Sequence, residues 1–247
     1  MIPLSKTKAK YIKSLQLKKN RDKEKKFLVE GKKSILEFLN SNFKLSLLVG
    51  TKEFFDERLF PGEREEEFLA KPEELAAIGT LKTNNAALAI FHMAEERILS
   101  AETPGIILAL DGINDPGNLG TIIRTADWFG INTVILNDSS VDPYNPKVIN
   151  ASKGSLSRVA VYRQPLVPFL SQYSGDVFAA EMYGSSLDTL APIESGVIIM
   201  GNESHGISSA VEKYLTKKIT IPLHGAAESL NVAVATGIIC YMLTRKG

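Results

Sequence analysis

Three short polar stretches hold the residues best suited to chemistry. "DGINDPGNLG", residues 111–120, runs straight into "TIIRTADWFG", so a glycine-bearing turn introduces an amphipathic segment that carries Arg124. "GNESHG", residues 201–206, sets Glu203 between two glycines, which let a backbone approach a ligand closely. "PLHGAAESLN", residues 222–231, ends in Ser229 and Asn231 at the start of a long apolar segment. Each stretch taken alone has two readings. Arg124 is either an ordinary exposed arginine or a phosphate ligand near a helix N-terminus, where backbone N–H groups point outward. Glu203 is either aimed from a sheet end at a ligand or part of a plain turn. Ser229 suits a helix N-cap whether or not it has another role, and Asn118 is a good cap for a helix that begins beside it. Ile122, Ile123, Ala126 and Phe129 would then pack inward, Gly130 would end the helix, and Arg124 would lie about a turn and a half along it.

Other chemistries lack their residues. No GxGxxG or GxxxxGK[ST] pattern occurs, so neither the usual dinucleotide fold nor a P-loop is supported. Cys240 is the single cysteine, and His92, His205 and His224 have no paired-ligand spacing, so neither a disulfide nor a metal site is expected.

The elements that must position these loops follow from periodicity. "IILALDGI", "TVILND", "RVAVYR", "DVFAAEM" and "GVIIMGN" are short continuous apolar runs separated by helical patterns. That alternation predicts an α/β domain with a parallel sheet buried on both faces, whose ligands sit outside the carboxyl ends of the strands. All three polar stretches follow such runs or the region just beyond them. "LNVAVATGIICYML" is apolar nearly all round, which requires burial on every side, either deep in the domain or across a subunit interface. Ahead of residue 95, "EGKKSILEFLNS" and "KPEELAAIG" read as helices and "KLSLLVG" and "AALAIFHM" as strands, a second and smaller α/β unit. "AEERILSAETPG" has no period and ends in Pro-Gly, the best linker.

The chain has 247 residues, enough for two modest domains, and a net charge of +1. The charge is uneven. Lys6, Lys8, Lys10, Lys13, Lys18, Lys19, Arg21, Lys23, Lys25 and Lys26 crowd the start, opposed only by Asp22 and Glu24. Such a run either contacts a phosphate backbone by displacing counterions or is a solvated helical face. "FFDERLFPGEREEEF" is acidic, so the first domain would be electrically two-faced. No stretch approaches the roughly 18 apolar residues of a membrane span, and the N-terminus lacks the apolar core of a secretory signal. A cytoplasmic protein is expected.

Together the three stretches resemble a known family. "NLGTIIRTADWFG", "IIMGNESHGIS" and "IPLHGAAESLNVAVATGIICYM", in this order and at these separations, resemble motifs 1, 2 and 3 of the SpoU (TrmH) family of RNA ribose 2'-O-methyltransferases in the SPOUT superfamily. "FLVEGKKSILEFL" is similar to the opening of the L30e-like substrate-binding domain of ribosomal RNA members. The resemblance implies an RNA-binding domain at 1–97 and a methyltransferase domain at 103–247, the latter a SPOUT-type α/β sheet whose C-terminal segment is tucked into a trefoil knot. Knots are rare exceptions among folds. It also implies S-adenosylmethionine as cofactor and a homodimer. By match to the motifs, Gly201, Ile221 and Leu230 contact the cofactor largely through backbone atoms, and Asn118, Arg124, Glu203, Ser229 and Asn231 form the catalytic cluster. The family's proposed role for Arg124 is base or base partner. An arginine is a reluctant base, which keeps open the alternative that it anchors the substrate phosphate, with Glu203 or Asn231 orienting it. Leu223 stands where many members have Met, and "SHG" varies the middle of motif 2. A structured RNA substrate follows, and the whole N-terminal domain favours ribosomal RNA of the 23S type. The other readings are a tRNA ribose 2'-O-methyltransferase and a non-catalytic RNA-binding protein of the same fold. A mere binder would need no such set as Asn118, Arg124, Glu203 and Asn231.

Overall fold

The computed structural model describes residues 2–57 and 66–245. The middle of the acidic "FFDERLFPGEREEEF" stretch, residues 58–65, lies outside the described residues. The chain forms two compact units, Met1–Glu95 with Asp142–Ser157, and Glu96–Val141 with Arg158–Gly247.

The first unit runs β1 (Ile2–Pro3), α1 (Lys6–Ser14), α2 (Lys18–Glu24), β2 (Lys26–Glu30), α3 (Lys32–Leu39), β3 (Leu45–Gly50), α4 (Lys52–Asp56), β4 (Glu66–Leu69), α5 (Pro72–Ile78) and β5 (Ala87–His92). Its sheet has the order β1-β4-β3-β5-β2, with β5 antiparallel to both neighbours. The helices and strands expected from periodicity are present as α3, β3, α5 and β5. Three strands are additions: β1 is only two residues long, β2 hides its apolar residues behind the lysine run, and β4, "EEFL", is mostly polar. Leu28, Val49, Leu75 and Ile90 form the core with Ile12 and Leu15 from the lysine-rich start.

One cation of that start is not available to a polyanion. Arg21 is 1 % exposed. Its Nε and Nη2 donate to Asp142 Oδ2 at 3.2 and 2.5 Å, and its Nη1 donates to the carbonyls of Leu15 and Gln16 at 3.1 and 2.8 Å. A buried charge is tolerable only when paired and hydrogen-bonded in this way. By contrast Lys6, Lys10 and Lys13 lie exposed along one side of α1, at the spacing that puts residues on a common helix face.

The second unit begins with β6 (Ile106–Asp111), α6 (Pro116–Trp128) and β7 (Thr133–Leu136). The chain then supplies Asp142–Ser157, including α7 (Pro146–Ser152), to the first unit. There the Tyr144 ring lies 4.7 Å from that of Phe27, and Asn150 Nδ2 donates to Thr80 Oγ1 at 3.0 Å. A contiguous split at 97/103 would leave this segment on the other side of the boundary. The chain returns through β8 (Ala160–Arg163), α8 (Leu166–Leu170), β9 (Val177–Ser186), β10 (Gly196–Gly201), α9 (Ser209–Glu212), β11 (Lys217–Thr220) and α10 (Val232–Thr244).

These strands form a fully parallel sheet in the order β11-β9-β10-β6-β7-β8. Its central strands are apolar on both faces, as parallel sheets covered by helices require, and Ile107, Ala109, Ile135, Val197 and Ile199 enter one core cluster. The five expected strands are all present. The sixth, β11, has no apolar run and buries only Ile219 of its four residues. The expected linker has no regular structure but is anchored: Leu99 is buried and its N–H donates to Gln164 Oε1 at 2.7 Å. No described helix is long and apolar enough to cross a membrane.

Candidate active site at the strand ends

Strand pairing decides which loops can meet. β10 and β6 are parallel neighbours with Gly201 opposite Asp111, so the loops that leave these two residues emerge side by side. The first leads into α6 through Asp-Pro-Gly. Proline fits the first helical position because its missing N–H would have no partner there, and so the cap falls on Asp115, whose side chain accepts the Asn118 N–H at 2.8 Å. The expected cap at Asn118 is therefore corrected: Asn118 is the third residue of the helix, and its side chain is left to do something else. The earlier start also moves Arg124 to just over two turns along α6, beyond the first turn where the helix field is felt. The helix-terminus account of Arg124 as a phosphate ligand falls with it. Ile122, Ile123 and Ala126 are buried as expected, and Gly130, with φ +71°, follows the helix end in a left-handed conformation.

The second loop is a tight ring. Asn202 and Gly206 exchange backbone hydrogen bonds, Asn202 N–H to the Gly206 carbonyl at 2.9 Å and the reverse at 3.0 Å. A Cβ on Gly201 would lie 2.4 Å from the Gly206 carbonyl carbon, so only glycine lets the ring close. Glu203 is exposed within it.

The third stretch meets both. Asn231, not Ser229, caps α10: its Oδ1 accepts the N–H groups of Ala233 and Val234 at 2.9 and 3.3 Å. Its Nδ2 donates to Asn118 Oδ1 at 3.0 Å, and Asn118 Nδ2 donates to Glu203 Oε1 at 2.9 Å. Residues 118, 203 and 231 thus form one directed chain, Asn231 to Asn118 to Glu203. The structure does not join the other two members of the expected cluster to it. The side chains of Ser229 and Arg124 are exposed and make no hydrogen bond or ion pair among the described residues. Arg124 lies about 9 Å farther along the α6 axis than Asn118 and on a different face.

Of the residues expected to touch cofactor, Gly201 ends β10, Ile221 follows β11 and Leu230 precedes the α10 cap. The ends of β10 and β11 lie on the same edge of the parallel sheet. The intervening residues Leu223–Leu230 are exposed, without helix or strand, and none of their N–H groups donates a hydrogen bond among the described residues. Open backbone of this kind can hydrogen-bond a nucleoside without help from side chains.

α10 packs on α6 and buries Val232, Ala233, Thr236, Ile239, Cys240 and Leu243. Burial pushes the Cys240 thiol up to about 12, so it is not a nucleophile. The other face is not covered among the described residues: Leu230, Val234, Ile238 and Tyr241 are exposed, Val234 by 52 % and Tyr241 by 59 %. Sequence reasoning missed Asn202, whose side chain spans the first two loops. Its signal was available, a polar residue directly after an apolar run.

Residues 105–241 match the SpoU rRNA Methylase family. The chain belongs to that family. Residues 6–89 match the MRM3-like substrate binding domain. Among relatives, the SpoU-family chain is 34% identical over 246 residues to the 23S rRNA (guanosine(2553)-2'-O)-methyltransferase RlmP of Bacillus subtilis, covering 96% of this chain and 95% of that one. A TrmH-family structure from Porphyromonas gingivalis superposes with a TM-score of 0.87 at 36% identity, over 97% of this chain and 98% of that one. The AdoMet-bound rRNA methyltransferase of Sinorhizobium meliloti gives 0.85 at 27% identity, over 98% and 96%.

Proposed function

We propose that this SpoU-family chain transfers a methyl group from S-adenosylmethionine to a ribose 2'-hydroxyl of 23S ribosomal RNA. The observation that carries the proposal is the chain of hydrogen bonds from Asn231 through Asn118 to Glu203, which ties together loops 85 and 113 residues apart in sequence. The full-length similarity to RlmP supports the 23S substrate.

When bound, the sulfonium cofactor supplies an electrophilic methyl group. The open backbone of Leu223–Leu230, with Gly201 and Ile221, would hold it, and exposed N–H groups suit an adenosyl ligand. The protein must then align one ribose oxygen and handle the proton of a weakly acidic hydroxyl. Asn118 suits the first task. One of its two N–H bonds goes to Glu203 and one of its oxygen lone pairs is used by Asn231, so one donor and one acceptor remain for a ribose hydroxyl. Glu203 and Asn231 fix the orientation of that amide, and Ser229 offers a hydroxyl that has no partner among the described residues. Arg124 serves as a phosphate anchor better than as a base, because a guanidinium offers a planar fork of donors matched to phosphate oxygens.

Three further features go with this function. The exposed stripe Leu230, Val234, Ile238 and Tyr241 is the interface of a homodimer, the first unit recruits structured RNA through the exposed lysines of α1 and α2, and the C-terminal segment is knotted. The protein works where ribosomal RNA is found in the cytoplasm. Tritiated-methyl transfer to purified 23S rRNA, followed by mapping of 2'-O-methyl positions, tests the reading. Incorporation into 23S rRNA that is lost in Asn118→Ala is expected. Incorporation into tRNA alone, or RNA binding without turnover, would overturn it.

A further inference from the structure

Three neighbouring strands of the second unit end on polar residues that the proposed chemistry does not use. Asp111 is the last residue of β6, Asn137 follows β7 and Asn202 follows β10. The strands are adjacent in the order β10-β6-β7, so these residues share one edge. Asp111 is buried; its Oδ1 accepts from Asn137 Nδ2 and its Oδ2 from the Ser208 N–H, both at 2.7 Å. Asn137 Oδ1 accepts the Gly112 N–H at 3.0 Å. Asn202 completes the network. Its Nδ2 donates to the Gly112 carbonyl at 2.6 Å, and its Oδ1 accepts the N–H groups of Ser204 and His205 at 2.8 and 3.1 Å. Both backbone polar groups of Gly112 are thus used while its φ is +84°, a conformation that favours glycine.

We infer that Asn202 is a positioning residue for the methyl transfer proposed above, because its amide cross-links the loop that carries Glu203 to the loop that leads to Asn118. Glu203 and its neighbours through Gly206 are exposed. The backbone pair between Asn202 and Gly206 closes this loop on itself, whereas the three bonds of the Asn202 side chain tie it to Gly112 and so hold Glu203 beside Asn118. Asp111 and Asn137 hold the base of the same bridge, one fixing Ser208 at the far end of the loop and the other fixing Gly112. Misplacing a reacting group by an ångström costs about a hundredfold in rate without disturbing binding of the rest of the substrate. Asn202 therefore acts through Glu203 and Asn118 and needs no contact with RNA.

Two substitutions test this inference, which rests on the proposed methyl transfer. Asn202→Ala removes both halves of the bridge; kcat is expected to fall about 10- to 100-fold while KM for RNA and cofactor affinity stay within about threefold. Asn202→Asp keeps the acceptor for Ser204 and His205 but turns a carboxylate toward the Gly112 carbonyl. Its kcat is expected to be low at mildly alkaline pH and to recover relative to wild type as pH falls, because the protonated carboxyl can again donate to that carbonyl. A wild-type kcat in Asn202→Ala, a loss confined to KM, or an Asn202→Asp profile parallel to wild type would overturn the inference. Amide hydrogen exchange by NMR separates it from the functional reading. Ser204 and His205 should lose protection in the alanine variant and keep it in the aspartate variant, even if wild type methylates no 23S rRNA. Equal protection in all three proteins would refute the bridge. If the alanine variant does not fold, the aspartate variant decides through its pH profile and its retained protection.

Discussion

Arg21 in the first unit and Asn118 in the second each gather hydrogen bonds from residues distant in sequence, but in opposite surroundings. Arg21 reaches Asp142, 121 residues away, and is sealed from solvent with its donors satisfied by that carboxylate and two carbonyls. Asn118 reaches Glu203 and Asn231, both of which are exposed. Breaking a buried pair leaves an uncompensated charge in a poorly solvated place, whereas breaking an exposed one exchanges a protein partner for water. The first arrangement therefore holds structure. The second contributes little stability, and its three polar side chains are left with hydrogen-bonding capacity for a substrate.

The sharpest way to break this contrast is at the exposed edge. Arg124→Ala is expected to lower methyl transfer by about a hundredfold or more, with cofactor affinity nearly unchanged, because its partner in the proposal is RNA. A tritiated-methyl assay and calorimetry with S-adenosylmethionine check it, and a large loss of cofactor binding would reassign the loop. At the buried pole, Arg21→Ala or Asp142→Ala should each cost about 3–5 kcal/mol in denaturant unfolding of the full chain, against under about 1 kcal/mol for Asn118→Ala. Similar costs at the two places would erase the distinction. Removing the first unit is a blunter tool than its position in sequence suggests, since residues 103–247 would keep Tyr144, Val148, Ile149 and Leu156 without the partners that cover them.

The apolar stripe on α10 gives a third test. Val234→Glu or Ile238→Glu should convert a dimer into monomers or insoluble protein, read by light scattering, and a monomeric wild type would remove the interface from the proposal. A smaller effect concerns the lysines. Lys26 donates to Ser46 Oγ at 2.7 Å, so a charge-reversal set is better drawn from Lys10, Lys13, Lys18 and Lys19, which are exposed. Reversal should flatten the salt dependence of RNA affinity by about 0.7–0.9 in log–log slope for each phosphate that is no longer neutralised. An unchanged slope would leave these lysines as a solvated face. The least perturbing probe is Cys240, whose buried thiol, with its pKa at about 12, should resist alkylation at neutral pH until the protein unfolds.

Much of the second unit was legible in the sequence because a parallel sheet buried on both faces writes each strand as an unbroken apolar run. Five of its six strands are written as apolar runs, although the edge strand β8 buries none of its four residues, and β11 has no such run and buries only Ile219. Asn118, Glu203 and Asn231 were legible as motif residues, but local rules misassigned the caps. Asparagine and serine are both good caps, and the choice among Asp115, Asn118, Ser229 and Asn231 depended on where each helix had to begin to pack. Arg21 looked like one more cation in a basic run. Its burial depends on Asp142, brought to it by a segment that leaves the second sheet after β7 and returns before β8.

The sequence by itself determined the alternation of strands and helices, the parallel sheet, the family and the identity of the polar residues at the strand ends. These are local or periodic properties, written in runs of a few residues. Only the tertiary structure decided that Asn118 bridges Glu203 and Asn231, that Asn202 ties two loops together, and that Arg21 is an internal strut. Each depends on partners 85 to 121 residues away or, for Asn202, on the Gly112 carbonyl 90 residues upstream. Strand order and register set such pairings, and they satisfy hydrogen-bonding groups whose partners no local pattern specifies.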